Sequence, residues 1–320
     1  MAPGPDGALC AHSHVSARPK RQKISADDCD LLQLAGERHW ILYSFVSLLS
    51  LCLRFGFVMS GSFNTPDPVA ELGQKLSKRL GGRGLAVRAL PVFDLRKGAA
   101  TTFACVPSRM GAETNAFGHW LLQGLDEASI ASLDLEMLDV MIGYAKRFSE
   151  AKLIAAIACT VAYSTLTNPR ARKDILDKLN VAKAATSTPL LIKIELIPSG
   201  TPTFRLSEVV QYLKGTIRLV FVSIDEVQGR ATWNPGAVGA AGFGLMLKPE
   251  DDAAAARLKA QRLTALCASQ GAVPFVDGVY TGEVAQVLTE ENIRFATGPG
   301  LSLSVFPLNG SLPKVPLPAR

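Results

Sequence analysis

Beyond residue 60 the chain alternates short, mostly apolar runs with amphipathic segments. Eight of the runs have the length and the β-branched content of strands, at 85–93, 101–107, 153–160, 190–197, 217–224, 244–247, 272–276 and 293–296. Between them, the segments 133–149 and 249–270 carry apolar side chains at helical spacing. This alternation predicts an α/β domain with a mostly parallel sheet.

The number of predicted strands narrows the choice of folds within the α/β class. Eight strands within about 260 residues fit a (β/α)8 TIM-like barrel. A doubly wound open sheet is the alternative, because it is built from the same strand-helix-strand units. We expect the barrel to occupy residues 61–305, followed by a tail over 306–320 whose four prolines break both helices and strands.

The first 60 residues differ from the rest. Residues 1–39 are rich in Pro, Gly, Ser and charged side chains, which predicts a disordered extension. Residues 40–58 are almost entirely apolar, with one charge at Arg54, and are just long enough to cross a bilayer. Three interpretations of this apolar helix stay open: a membrane anchor, a helix packed on the domain, or an upstream stretch that is not translated because Met59 is the true start.

The composition is that of a packed protein with a basic charge balance. Hydrophobic residues make up 48% of the chain and charged residues 19%, and the net charge is +6. The Lys and Arg residues are spread out without interleaved aromatics, so we expect no nucleic-acid polymer as a partner. The six cysteines lie far apart without zinc-ligand spacing, which is typical of reduced thiols in the cytoplasm. We expect a cytoplasmic location, with a tether to the inner membrane only if 40–58 is an anchor.

In a barrel, functional side chains gather where the strands end. Glu195 lies within the apolar strand I-K-I-E-L-I-P, where a carboxylate needs a cation, a metal or a hydrogen-bond donor. An ion pair with the neighbouring Lys193 and a role as a ligand are both open at this point. Asp225 and Glu226 end the strand L-V-F-V-S-I and offer adjacent oxygen ligands for a divalent cation.

Two further charged side chains follow predicted strands. Lys248 comes directly after G-L-M-L, where its ammonium would neutralise a phosphate or pair with a carboxylate. Asp277 follows P-F-V, and the glycine after it permits a tight turn that exposes the carboxylate. A histidine base is not expected, because none of the histidines lies at a strand end: His12, His14, His39 and His119.

Taken together, the segments from about residue 84 to 304 resemble the EAL domain, a barrel family whose active members hydrolyse cyclic di-GMP with paired divalent metals. The resemblance rests on A-L-P-V-F-D-L-R-K-G (89–98), L-D-L-E-M-L (133–138), T-L-T-N-P (165–169), I-K-I-E-L-I-P (192–198), I-D-E-V (224–227), L-M-L-K (245–248), A-S-Q-G-A-V-P-F-V-D-G-V-Y-T-G-E (268–283) and F-A-T-G-P-G-L-S (295–302). Their order and spacing imply the barrel of that family and a place in bacterial signalling.

The resemblance implies that three site positions have lost their chemistry. Ala104 stands where the motif that names the family supplies a metal-binding Glu. Thr160 stands where the family has a metal-binding Asn, and Thr297 where it has a Gln. A methyl group cannot bind a hard cation, and a threonine hydroxyl is a shorter and weaker oxygen donor.

Other positions look like a remnant of the site. They are Glu195, Asp225, Glu226, Lys248 and Asp277. The adjacent pair of carboxylates falls where the family has two Asp residues, and the last of the five replaces a Glu. An alignment on Arg218 would instead place Val222 and Ser223 at the two Asp positions.

We therefore expect a catalytically degenerate EAL-like domain that needs no cofactor. It would act as a non-enzymatic signalling or scaffolding module, through a protein partner or a weakened cyclic di-GMP site. One alternative stays open within the enzyme class: a phosphodiesterase that uses Mg or Mn. That enzyme would bind metal through Glu195, Asp225, Glu226 and Asp277, with Lys248 at the phosphate or the water.

A second alternative keeps the nucleotide without the chemistry. The chain would then be a cyclic di-GMP receptor that does not hydrolyse its ligand. Ser108 stands where the family has a ligand-contacting Arg, with Arg109 one residue away. The resemblance also implies a homodimer that pairs through the barrel helices.

Overall fold

The computed structural model describes residues 85–109, 117–224 and 235–301. The predicted extension (1–39), apolar helix (40–58) and tail (306–320) lie outside these residues, as do residues 61–84 of the expected barrel. Among the helices that are described, none is both long enough and apolar enough to cross a bilayer.

The described residues form eight strands that alternate with helices. The strands are β1 (Leu85–Asp94), β2 (Ala99–Arg109), β3 (Ala156–Ala162), β4 (Leu190–Glu195), β5 (Leu219–Ile224), β6 (Gly242–Met246), β7 (Val273–Asp277) and β8 (Phe295–Thr297). The helices are α1 (Glu127–Glu150), α2 (Tyr163–Thr167), α3 (Pro169–Ala185), α4 (Thr203–Lys214), α5 (Pro235–Val238), α6 (Ala253–Ala268) and α7 (Gly282–Glu290), and a 3-10 turn covers His119–Leu122. The eight predicted strands and the two predicted helices are confirmed, with ends that move by a few residues.

Side-chain caps set the starts of the two predicted helices. The Asp126 carboxylate accepts a hydrogen bond from the Ser129 N–H, so α1 begins well before residue 133. Asp252 accepts from the Ala255 N–H in the same way, and α6 therefore begins after residue 252 and not at 249. A hydrophobic pattern does not contain this information, because capping residues are polar.

The strands close into a barrel in the order β1 to β8. β1 is antiparallel to both of its neighbours, β2 and β8, whereas every pair from β2 to β8 is parallel. Because β1 pairs with β8, the sheet has no open edge, and the TIM-like barrel is confirmed over the doubly wound alternative.

Strand alternation divides the core into an outer and an inner part. On β2, Phe103 and Cys105 join the large apolar cluster between strands and helices, whereas Ala104 and Val106 belong to a separate cluster inside the barrel. We call the latter the interior cluster. Its members are Ala104, Val106, Phe117, Ala156, Ala158 and Leu191, with Leu90, Val92, Leu219, Phe221 and Met246 packed against them.

Glycines on β6 make room for aromatic rings inside the barrel. The rings of Phe221 and Phe275 meet edge to face with centroids 5.6 Å apart. A Cβ on Gly242 would lie 2.7 Å from the Phe221 ring, and a Cβ on Gly244 would overlap the Phe275 ring. The barrel is thus a filled core, and its chemistry is confined to its end.

Candidate functional site at the mouth of the barrel

Five buried ionisable side chains meet at the carboxyl ends of the parallel strands. We call this set the mouth network: Asp134, His119, Glu195, Lys193 and Asp277. The most exposed member, Lys193, retains 8% of its surface. Buried charges are tolerated only when they are paired, so the contacts among these side chains decide what the site can do.

Lys193 is the centre of the network. It precedes Glu195 by two residues on β4, so both side chains point into the barrel. Its Nζ lies 2.6 Å from Glu195 Oε1 and donates a hydrogen bond of 2.7 Å to Asp277 Oδ2 on β7. One ammonium therefore bridges the two carboxylates.

His119 extends the network to helix α1. The His119 backbone N–H donates to Glu195 Oε2 at 3.1 Å, and its Nδ1 lies 3.3 Å from the same oxygen. Its Nε2 lies 2.7 Å from Asp134 Oδ1. The other oxygen, Asp134 Oδ2, accepts from the Ala162 N–H at 2.9 Å and the Thr165 hydroxyl at 2.6 Å. The imidazole is thus fixed between two carboxylates.

The pKa values follow from this geometry. Burial alone would lower the pKa of Lys193, but the charges of Asp277 and Glu195 outweigh it, and the pKa is raised. Burial acts against the Glu195 carboxylate too, but Lys193 and then His119 hold its pKa well below the usual range. Burial likewise opposes the His119 cation, yet Asp134 and Glu195 raise its pKa to about 9.

Asp277 behaves differently from Glu195. Burial raises its pKa, and the nearby Glu195 charge adds to that rise, so the opposing effect of Lys193 does not cancel them. Near neutral pH the network therefore contains charged Lys193, Glu195 and His119. Of its two bridged carboxylates, Asp277 is the one that takes up a proton first as the pH falls.

A short segment of the chain, the mouth segment (residues 117–122), lies over this network. The Gly118 N–H donates to the Pro107 carbonyl at 2.8 Å, and Phe117 forms an antiparallel bridge with Ser108 at the end of β2. Phe117 packs into the interior cluster, and a Cβ on Gly118 would lie 3.0 Å from Met246 Cε. These contacts place His119 directly on Glu195.

His119 was not among the functional residues predicted from the sequence. Its expected position, away from the functional strand ends, is wrong, because the mouth segment folds back across the barrel. His119 and Glu195 are 76 residues apart in the chain, and His119 and Asp134 are 15 apart. No local spacing pattern connects such positions, so only a sequence-wide record of coupled changes would have pointed to the contact.

The predicted remnant is brought together only in part. Glu195 and Asp277 both pair with Lys193. Of the two interpretations of Glu195, the structure therefore shows the ion pair with Lys193. Lys248 follows β6, and its side chain is exposed. The residue of β6 that lies opposite Asp277 on β7 is Met246, two positions before Lys248. Among the described ion pairs, none includes Lys248; the cation at Asp277 is Lys193.

The predicted pair of adjacent carboxylates cannot be placed, whereas the two residues of the alternative alignment can. Asp225 and Glu226 lie outside the described residues. Of the alternative pair from the second alignment, Val222 is fully buried, and Ser223 lies in register with Gly244.

The three positions expected to have lost metal chemistry lie in different surroundings. Ala104 is part of the interior cluster, in register with Leu90 and Ala158. Thr160 is fully buried, and its Oγ1 has no hydrogen-bond partner among the described residues. The Thr297 hydroxyl donates to the Pro91 carbonyl at 2.8 Å.

Glu195 and Asp277, the two members of the predicted metal set that the structure describes, are not arranged as ligands of a metal pair. Nowhere in the described ranges do three or more His, Cys, Asp or Glu side chains gather in a way that would hold a metal ion. Glu195 and Asp277 already face the same ammonium, and Ala104 has no side-chain oxygen to offer a cation. A metal would have to displace Lys193 to reach both carboxylates.

Comparison with known proteins finds similarity in structure but none in sequence. No family model matches the chain, and no curated protein is similar to it in sequence. Solved structures do match, among them the PaMucR phosphodiesterase in complex with cyclic di-GMP. That match has a TM-score of 0.56 at 13% identity and covers 73% of this chain and 97% of that one.

Two other solved structures match the chain to a similar degree. The FimX EAL domain of Xanthomonas citri, in complex with cyclic di-GMP, matches with a TM-score of 0.53 at 13% identity, over 76% of this chain and 96% of that one. The Bacillus subtilis YkuI protein, with an EAL domain, cyclic di-GMP and calcium, matches at 0.54 and 13% identity, over 71% of this chain and 57% of that one. The chain therefore has the fold of EAL domains, as the resemblance implied.

Proposed function

We propose that this chain is a non-catalytic EAL-fold module of a cyclic di-GMP pathway and acts through contacts with another protein. The observation that carries the proposal is the Lys193 ammonium, which bridges Glu195 Oε1 and Asp277 Oδ2 at 2.6 and 2.7 Å. The pathway is suggested by structural neighbours such as PaMucR and FimX, which are described as cyclic di-GMP complexes.

Metal-assisted hydrolysis of a phosphodiester depends on cations that generate hydroxide and neutralise the developing charge. Each cation needs several oxygen ligands. Here Glu195 Oε1 faces Lys193 and Glu195 Oε2 faces His119, so both oxygens of the carboxylate already meet a cationic side chain. An ammonium at this place neutralises the carboxylates, but it cannot lower the pKa of a bound water as a divalent metal does.

Access to the carboxylates also argues against turnover. The mouth segment buries Phe117 and His119 at the end of the barrel, and Glu195 and Asp277 retain 6% and 4% of their surface. A nucleotide that reached them would have to displace both the mouth segment and the Lys193 bridge. Ser108, at the expected arginine position, is 2% exposed, which disfavours the receptor alternative as well.

The test is a titration of the full chain with cyclic di-GMP in Mg²⁺, Mn²⁺ or Ca²⁺, followed by chromatography for linear product. A Glu195→Gln variant serves as the matched blank, because a contaminating phosphodiesterase would act equally in both samples. We expect no heat of binding and no product above the blank.

Two results would overturn the proposal. Linear product from the wild type but not from the Glu195→Gln variant would restore the enzyme. Saturable binding without product would replace the protein-contact role by that of a receptor.

A further inference from the structure

We infer that a groove between helices α4 and α5 is a protein-binding surface, and that its occupant is an acidic amphipathic helix of another protein. The groove lies at the exposed side of α4, away from the mouth network. The inference rests on the proposed function and deepens it, since it names the contact surface and the chemistry of the partner.

The exposed side of α4 carries two large aromatic side chains that the core does not use. The opposite side of the helix already buries four apolar side chains in the large cluster: Leu206, Val209, Val210 and Leu213. Phe204 and Tyr212 remain 59% and 51% exposed. Together with Ala237 of α5 they line a cavity of about 620 Å³ whose surface is mainly apolar. Aromatic side chains around an exposed apolar cavity are typical of a protein-binding surface.

The spacing along α4 indicates the shape of the occupant. Phe204, Glu208 and Tyr212 follow one another at four-residue intervals, so they form one ridge on the helix. The two aromatic positions are about 12 Å apart along the axis, because each residue adds about 1.5 Å. A partner helix presents side chains seven residues apart on one face at about 10.5 Å. The groove therefore suits a helix with two apolar anchors about two turns apart.

Cationic side chains restrain both aromatic rings. The Arg172 guanidinium of α3 lies over the Tyr212 ring, 4.1 Å from its centroid, and also donates to the Leu166 carbonyl at 3.3 Å. The Arg205 guanidinium lies 5.2 Å from the centroid of the Phe204 ring. Side chains that are already restrained lose less conformational freedom when a partner binds, which favours affinity.

The charges around the groove favour an acidic partner. Among the described lining residues Glu208 has the only carboxylate, and Arg205 Nη1 already pairs with it at 3.1 Å. Lys214 Nζ lies beside the end of α5, because a Cβ on Gly239 would be 3.6 Å from it. In the described part of the chain, neither Lys214 nor Arg172 forms an ion pair with a carboxylate. Both cations lie at the Tyr212 end of the groove, where acidic side chains of a partner would compensate them.

The same charges disfavour two other occupants. A second copy that docked its own α4 would bring Arg205 and Lys214 toward like charges, with Glu208 as the only carboxylate of that helix. A single-stranded nucleic acid would stack bases on the aromatic rings, but Glu208 lies between the rings on the ridge and would repel the phosphates. The observations favour a helix of another protein.

The first test selects partner helices with the full-length chain as bait. A phage-displayed library presents a helical scaffold of about 16 residues, or roughly four turns, with randomised surface positions. Binders are counter-selected against a Phe204→Ala/Tyr212→Ala double variant. We expect enrichment of sequences with apolar residues seven apart and Asp or Glu beside one of them. Enrichment of basic sequences, or none beyond that seen with the double variant, would overturn the inference.

The second test measures the affinity of the most enriched peptide by fluorescence anisotropy, with circular dichroism to confirm that each variant is folded. Phe204→Ala and Tyr212→Ala should each weaken binding about tenfold or more. Lys214→Glu should weaken it several-fold and reduce its salt dependence. Leu258→Ala is the matched control, because Leu258 is 50% exposed on α6 and does not line the groove. Equal losses in Leu258→Ala and Tyr212→Ala would contradict the assignment of the groove.

Two further measurements decide between the occupants. Sedimentation equilibrium should show no dimer that Tyr212→Ala dissociates, and such a dimer would assign the groove to a second copy instead. A labelled oligouridylate should show no binding that Tyr212→Ala abolishes, and such binding would replace the protein helix by a nucleic acid. The proposed function fails on different results, namely product formation or binding of cyclic di-GMP by the wild type.

Discussion

The interior cluster and the mouth network lie in the same barrel and are stabilised in different ways. At Ala104, Ala158 and Leu191 the barrel is filled by small and branched apolar side chains, which gain from leaving water. At Lys193 and Glu195, further along the strands, charges are buried and gain only from one another. Ala104, where the resemblance to EAL domains led us to expect a lost metal-binding carboxylate, falls in the first region, and the carboxylates of Glu195 and Asp277 fall in the second.

This difference shows what each region requires of its side chains. Ala104 carries no charge, and it packs among apolar neighbours. The buried carboxylates of Glu195 and Asp277 need compensation, which Lys193 and His119 provide. An apolar region tolerates substitutions of similar volume, but a buried charge network fails when one partner is lost.

The largest effect is expected from breaking the network at its centre. Lys193→Met should lower the free energy of unfolding by about 3–5 kcal/mol, because it leaves buried carboxylates uncompensated. Urea denaturation measures the change. The matched control is Lys178→Met, which removes an exposed ion pair with Asp139 and should cost less than about 1 kcal/mol. Equal losses in the two variants would show that the network does not stabilise the fold.

The next effect is a pH dependence that the interior cluster cannot produce. The pKa of His119 is raised from 6.5 to about 9, so the folded state holds a proton that the unfolded state releases. This contribution, about 3 kcal/mol, is fully present below pH 6.5 and is lost as the pH rises to about 9. Urea denaturation at several pH values should show the decline.

A His119→Gln variant isolates this contribution. The buried thiols of Cys105, Cys159 and Cys267, whose pKa values are raised by burial, add their own loss at alkaline pH in both proteins. The difference between the two curves therefore belongs to His119. Parallel curves for wild type and variant would contradict the assignment of a protonated His119.

In the barrel interior, the expected effect is steric. Gly244→Ala should destabilise by about 1–3 kcal/mol, because the new methyl group overlaps the Phe275 ring. Gly143→Ala in α1 is the control, since a Cβ there meets nothing within 4 Å and a helix gains up to about 1 kcal/mol from alanine. Phe275→Leu should relieve part of the Gly244→Ala loss, and a loss that it leaves unchanged would argue against the overlap.

The smallest effect lies at the border of the two regions. Thr160→Val should stabilise the fold by about 1 kcal/mol, because it removes a buried hydroxyl whose oxygen lacks a partner. Thr297→Val should destabilise instead, since it leaves the Pro91 carbonyl without its hydroxyl donor. Denaturation of both variants compares the two, and equal losses would mean that the Thr160 hydroxyl is satisfied in solution.

Much of the fold was predictable because strands and helices leave local patterns. The apolar runs predicted all eight strands, and their alternation with helical segments predicted the barrel. Two features of the fold are not contained in the apolar runs themselves. The antiparallel direction of β1 follows from its short connection to β2, between Asp94 and Ala99, which is too short for a parallel crossover. The start of α1 depends on a single cap at Asp126.

By itself the sequence determined which residue types are present: an alanine at position 104, threonines at 160 and 297, and carboxylates at 195 and 277. It also allowed an ion pair between Glu195 and Lys193, because residues two apart on a strand point to the same face. Only the tertiary structure decided that Asp277 joins the same ammonium and that His119 covers Glu195, because barrel closure and the return of the mouth segment bring together residues 84 and 76 positions apart. Local spacing carries no information at such separations, and the charge balance of the site depends on them.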